Sequence, residues 1–187
     1  MRARLQATND REALRERYRP ARVKLLFVGE APPASGRFFY RADSGLYHAI
    51  RSAFIGAFPS VRSADFLDSF QALGCYLLDL CGRPVDDIEP QRRKRICADG
   101  EIRLAGRIQL LQPETIVTVV RSIFLNVERA RKLAGWTGLH VSLPYPGRWR
   151  RHQVVFEEGL VPILRRELAG AFAASREDIV RQSKPKV

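Results

Sequence analysis

The sequence predicts an α/β fold: a three-layer α/β/α sandwich around a central four-stranded parallel sheet. Three observations carry that expectation. Four short apolar runs, residues 23–28, 75–80, 115–120 and 139–143, have the length and composition of buried strands. Segments with helical apolar spacing alternate with them, the order that covers both faces of a parallel sheet. And 187 residues, 45% hydrophobic and 28% charged, suffice to bury a core without staples. The expected division is a helix and arm in residues 1–22, the α/β domain in 23–174, and a tail in 175–187 that frays from 183 on.

In chain order, residues 9–18 suit a short charged helix capped by Asn9 or Asp10 and ended by Pro20. The first strand stops at Gly29, where Glu30 is followed by Pro32 and Pro33, which donate no backbone N–H to a ladder. The fifteen-residue loop 29–43 is irregular by its Pro, Gly and Ser content, and loops of that length in compact domains are usually functional. Ser44 suits the cap of a helix that places Leu46, Ile50, Ala53, Phe54 and Ala57 on one face. A second short helix follows Ser63, burying Phe66, Leu67, Phe70 and Leu73 and closed by Gly74.

After the second strand, Pro84, Asp86, Asp87 and Glu89 lead into a helix starting near Pro90, which Gly100 and Gly106 are expected to divide. The third strand is TIVTVV, and a helix over 122–133 follows it. After the fourth strand and the loop 144–151, Gly159 and Pro162 argue against one long helix, so the last helix is expected over 163–174.

The chain carries 32 Lys+Arg against 20 Asp+Glu, a net charge of +12, and 27 of the cations are Arg. Arginine in such excess favours phosphate, whose oxygens it pairs bidentately, although an Arg-rich solvated surface has the same composition. No run approaches the ~20 apolar residues of a membrane span, and the N-terminus lacks a signal-peptide core. A cytoplasmic, nucleoid-associated protein is the expectation. Cys75, Cys81 and Cys97 are an odd set without secretory context, which argues against structural disulfides.

In a parallel sheet the unusual residues at strand carboxyl ends share one edge, where ligands bind. Glu30 ends the first strand, Asp79 interrupts the second, and LPYPGRWRRHQ leaves the fourth, with Phe38, Phe39 and Tyr40 nearby. A water-orienting carboxylate, a ring that stacks on a base and cations for phosphate are what a base-excising enzyme requires. Plainer roles compete for each. Glu30 would equally cap a turn or pair with Arg37 or Arg41, Phe38 and Phe39 would serve as core, and QRRKR at 91–95 would be a solvated helix face. Asp79 is harder to dismiss, because burying an unpartnered carboxylate costs several kcal/mol, so it needs a cation or a donor.

The segment GEAPPASGRFFYRADSGLY resembles the first motif of the uracil-DNA glycosylase superfamily, and is most similar to its iron-sulfur branch. YLLDLCGRP falls where that branch has a strand ending in Asn followed by Cys-Arg-Pro. QLLQPETIVTVV resembles its third strand, and LPYPGRWRR takes the place of its final His-Pro-Ser motif. The likeness covers residues 23–166 in the same order. It implies that Glu30 orients the water attacking C1′, that Phe39 covers the flipped base, and that backbone N–H groups near Glu30 and Ala31 stabilise the leaving base at O2. Asp79 and Leu143 would border the base. Arg37, Arg150 and Arg151 would meet DNA, with Arg148 or Trp149 as a wedge.

The chain also departs from that pattern. Asp79 stands where the family has the Asn that reads N3–H and O4 of uracil. An ionised carboxylate accepts from N3–H but repels O4, so uracil would require a protonated Asp79, or the base is a different one. Leu143 replaces the His of the final motif, and His48 and His152 read as ordinary surface or packing residues. Cys81 and Cys97 match the later two cluster ligands, but no N-terminal cysteine completes four, so no cluster, metal or other cofactor is expected. Cys75 reads as core. The expected partner is DNA containing uracil or another deaminated base, acted on by a monomer without membrane attachment. The alternative is a DNA-binding module on the same scaffold with altered catalysis.

Overall fold

In the computed structural model, which describes residues 2–61 and 64–182, the apolar run after Val23 forms β1, Leu25–Gly29, all five residues buried. Helix α1, Arg2–Arg17, precedes it, and α2, Gly45–Ala57, and α3, Phe66–Ala72, lead to β2, Cys75–Asp79. Helix α4, Pro90–Leu111, then β3, Thr115–Thr118, α5, Phe124–Leu133, β4, Leu139–Ser142, and α6, Arg150–Gln182, follow in that order. The sheet is four-stranded and wholly parallel in the order β2-β1-β3-β4, with α2 packed on α6 and α4 on α5. This is the expected three-layer arrangement. β1 and β3 are central, which is why they read as continuous apolar runs, while the edge strand β4 is only partly buried.

Local chemistry explains several boundaries. Ser44 caps α2 by accepting from the Tyr47 N–H at 3.2 Å, and the side chain of Glu89 accepts from Gln91 and Arg92 ahead of Pro90 at the first turn of α4. Gly74 takes φ +78 and lets the carbonyl of Arg22 approach, so only glycine suits the turn into β2. The expected start of α3 after Ser63 lies outside the described residues. So does the tail from 183.

Three expectations about helices are corrected. α1 begins at Arg2 and runs through Asn9 and Asp10, both exposed, because the Arg, Ala, Leu and Gln residues before them are good helix formers. α4 is unbroken. Its Gly100 is a contact residue, since a Cβ there would lie 2.3 Å from the Leu80 carbonyl oxygen. α6 is a single helix that passes through Pro162 and beyond residue 174. An interior proline costs about 3 kcal/mol, but Phe156, Leu160, Leu164 and Leu168 are fully buried along the same helix at about 1.5–3 kcal/mol each, so packing wins. Gly159 admits Leu143, whose Cδ2 would stand 2.9 Å from a Cβ.

Candidate functional site

β1 and β2 end side by side, with Gly29 in register with Asp79. Glu30 and Asp79 therefore emerge at the same edge of the sheet, and a cavity of about 400 Å³ opens there. Glu30, Ala31, Arg37, Phe39 and Asp79 all line it, as do Arg93 and Tyr145. The carboxylate and the aromatic ring nine positions apart thus share one cavity.

The loop between β1 and α2 is held by two carboxylates, one of its own and one from the loop after β2. Phe38 N–H donates to Asp43 Oδ1 at 2.7 Å, and Ala34 N–H to Asp86 Oδ2 at 2.8 Å. A single 3-10 turn, Phe39–Arg41, ends at Ala42 in the left-handed region with φ 62. Tyr40 then performs a task that its neighbours cannot: its hydroxyl accepts from Leu77 N–H at 2.7 Å and donates to Leu77 O at 3.1 Å. β2 is an edge strand, so these backbone groups have no neighbouring strand, and the phenol satisfies both. Fixing Tyr40 fixes Phe39. The Phe39 ring is 3% exposed and rests against Tyr40, Phe70 and Tyr47 at 5.1, 5.2 and 5.8 Å, so it is core and cavity wall at once.

Each carboxylate has an arginine. Arg93 of α4 grips Glu30 through both oxygens, Nε donating to Oε1 at 2.6 Å and Nη2 to Oε2. Arg37 and Arg41, the partners suggested by sequence, are not the ones used. Arg15 of α1 donates from Nη2 to Asp79 Oδ2 at 2.8 Å, and its guanidinium lies 5.4 Å from the centre of the Phe38 ring. Asp79 thus has the cation that its burial demanded. Burial pushes its carboxyl above the usual carboxylate range, while the guanidiniums of Arg15, Arg103 and Arg11 pull against that shift.

Sequence reasoning missed both arginines. Arg93 sits in QRRKR, where Arg92, Lys94 and Arg95 are exposed as expected but Arg93 turns toward the cavity. The signal for Arg15 was indirect, since a carboxylate inside an apolar strand calls for a cation without saying which.

Leu143, expected beside the base, is a correction. It is 5% exposed, does not line the cavity, and lies in the core against Gly159 of α6, with its N–H bonded to Thr118 O at 2.8 Å. His48 and His152 are exposed and line no part of the cavity. Arg148 and Trp149 are exposed on the loop after β4, and Arg150 and Arg151 are exposed in the first turn of α6. Tyr145 joins that loop to the cavity.

Cys81 and Cys97 bring their Sγ atoms to 3.5 Å, and Cys97 Sγ lies 3.7 Å from Glu30 Oε1. Both are buried free thiols, and Cys75 is core. Among the described residues no group of three or more His, Cys, Asp or Glu is placed to hold a metal ion. Nor is any described helix long and apolar enough to cross a membrane.

No protein-family model and no curated protein matches the chain.

Proposed function

We propose that the chain is a monofunctional DNA glycosylase that hydrolyses the N-glycosidic bond of uracil or a related deaminated base after flipping it from the helix. One observation carries the reading: Glu30 and Phe39 line a single cavity of about 400 Å³ at the carboxyl ends of the strands. The resemblance of the Gly29–Tyr40 segment to the uracil-DNA glycosylase motif supports the same roles.

In this reading the flipped base enters against Phe39 while Glu30 holds a water below C1′. As the glycosidic bond breaks, the sugar takes on oxocarbenium character and the carboxylate both orients the water and offsets the developing positive charge. The bond electrons leave with the base, where the backbone near Ala31 stabilises O2 of uracil or N3 of a purine, and the water oxygen bonds C1′ as Glu30 takes its proton. Arg37 at the rim and the Arg148–Arg151 segment beside Tyr145 supply the phosphate contacts, consistent with the net charge of +12.

A second reading, a DNA-binding module without base release, is favoured by one observation. Both oxygens of Glu30 are engaged by Arg93, so neither is idle. One assay separates the two. A labelled duplex containing uracil, hypoxanthine or xanthine is incubated with the protein, and abasic sites are cleaved with alkali. The glycosylase reading expects strand scission by the wild type and a loss of about 100-fold or more in Glu30→Gln. Salt-sensitive binding with no scission on any of the three bases would overturn it.

A further inference from the structure

Asp79 is gripped from behind. Its side chain is 9% exposed and that of Arg15 is 7% exposed, and the two meet at 2.8 Å through Oδ2. A guanidinium cannot shed its proton in a protein. Were Asp79 neutral, Arg15 would lie buried with Glu12, 39% exposed, as its remaining acidic partner among the described residues. The pair therefore stays charged at neutral pH, and Asp79 offers the cavity acceptors only. The other oxygen, Oδ1, packs against Gly29, where a Cβ would lie 3.0 Å from it, and Asp79 lines the cavity.

Resting on the glycosylase reading, we infer that the Arg15–Asp79 pair makes the cavity select a base whose facing N–H is flanked by at most one carbonyl. That class is hypoxanthine and the guanine-type purines, and it is selected over uracil and xanthine. The chemistry is local. Uracil N3–H and xanthine N1–H each lie between two carbonyls, so a carboxylate that accepts the proton sets its charge against an adjacent oxygen on either side. Hypoxanthine N1–H has a carbonyl on one side and C2–H on the other. A guanine-type edge has an amino donor next to N1–H in place of a second carbonyl, so a further hydrogen bond replaces a repulsion. A cavity of about 400 Å³ lies within the range of sites that enclose drug-sized ligands, which is room for a bicyclic base.

The test measures single-turnover release of hypoxanthine and of uracil from otherwise identical duplexes by the full chain, as wild type and as Asp79→Asn. Binding of the same duplexes is followed by fluorescence anisotropy, and circular-dichroism melts establish that each protein is folded. The wild type is expected to favour hypoxanthine by about tenfold or more, and the Asn amide, which both donates and accepts, to move that ratio about tenfold or more toward uracil. A wild-type ratio at or below one, or a ratio unchanged in folded Asp79→Asn, overturns the selection while base excision stands. If Asp79→Asn does not fold, the wild-type ratio decides. If neither base is released, the glycosylase reading fails and the anisotropy decides. Equal affinity for the two duplexes then overturns the selection, and a hypoxanthine preference in the wild type sustains it.

Discussion

Glu30 and Asp79 leave neighbouring strands of the same sheet, yet they are held in opposite ways. Glu30 is clamped by Arg93, which is 39% exposed and lines the cavity, whereas Asp79 is clamped by Arg15, which is 7% exposed and does not line it. A cation in contact with water can exchange its anionic partner for another at little cost; a buried one cannot. The difference teaches that similar ion pairs a strand apart serve different ends. The Glu30 pair is a partly exposed contact open to exchange, and the Asp79 pair is a buried, fixed part of the fold.

Breaking the buried pair should have the largest effect. Arg15→Ala leaves the largely buried Asp79 carboxylate without its main partner, and a loss of about 3–5 kcal/mol in unfolding free energy is expected. Urea titration checks it, and a loss below about 1 kcal/mol would equate the two pairs. Arg93→Ala should change stability by no more than about 1 kcal/mol, since its partner can take up water. On the glycosylase reading its effect belongs in the chemistry: losing the clamp on the carboxylate should lower kcat about tenfold with KM little changed. A rise in kcat would instead mean that Arg93 blocks Glu30, as the binding-module reading has it.

The smallest effect is on pH dependence. The native Asp79 carboxyl titrates above its ordinary value of 3.8, so over the window just above that value the folded state holds more of this proton than the unfolded one. Asp79 therefore contributes most favourably below pH 3.8, and its contribution declines as pH rises through the native value. Comparing melting temperatures of wild type and Asp79→Asn from pH 3.5 to 7 should show the wild type losing ground to the variant as pH rises. A difference independent of pH would remove burial as the dominant influence on this carboxyl.

Some of this was legible along the chain and some was not. Four strands, the cap at Ser44, the helix start at Pro90 and the emergence of Glu30 and Asp79 at one edge all follow from short-range patterning. Apolar runs, capping groups and proline act within a few residues, and parallel connectivity then places every strand's carboxyl end together. The interruption of α4 and of α6 was misread for the complementary reason. Gly100, Gly159 and Pro162 carry a local cost that a sequence shows, but the backbone of Leu80, the side chain of Leu143 and the core that offset it come from elsewhere in the chain.

What the sequence by itself determined is the sheet and the identity of the two acids at its rim. Only the tertiary structure decided which arginine each acid receives: Arg15 lies 64 residues from Asp79 and Arg93 lies 63 from Glu30. It also decided that Leu143 faces α6 and not the cavity. Periodicity fixes which face of an element is apolar, because that depends on neighbours one turn or two positions away. Pairing of charges across the sheet depends on how helices settle on it, and in a chain with 27 arginines no local pattern distinguishes the two that were chosen.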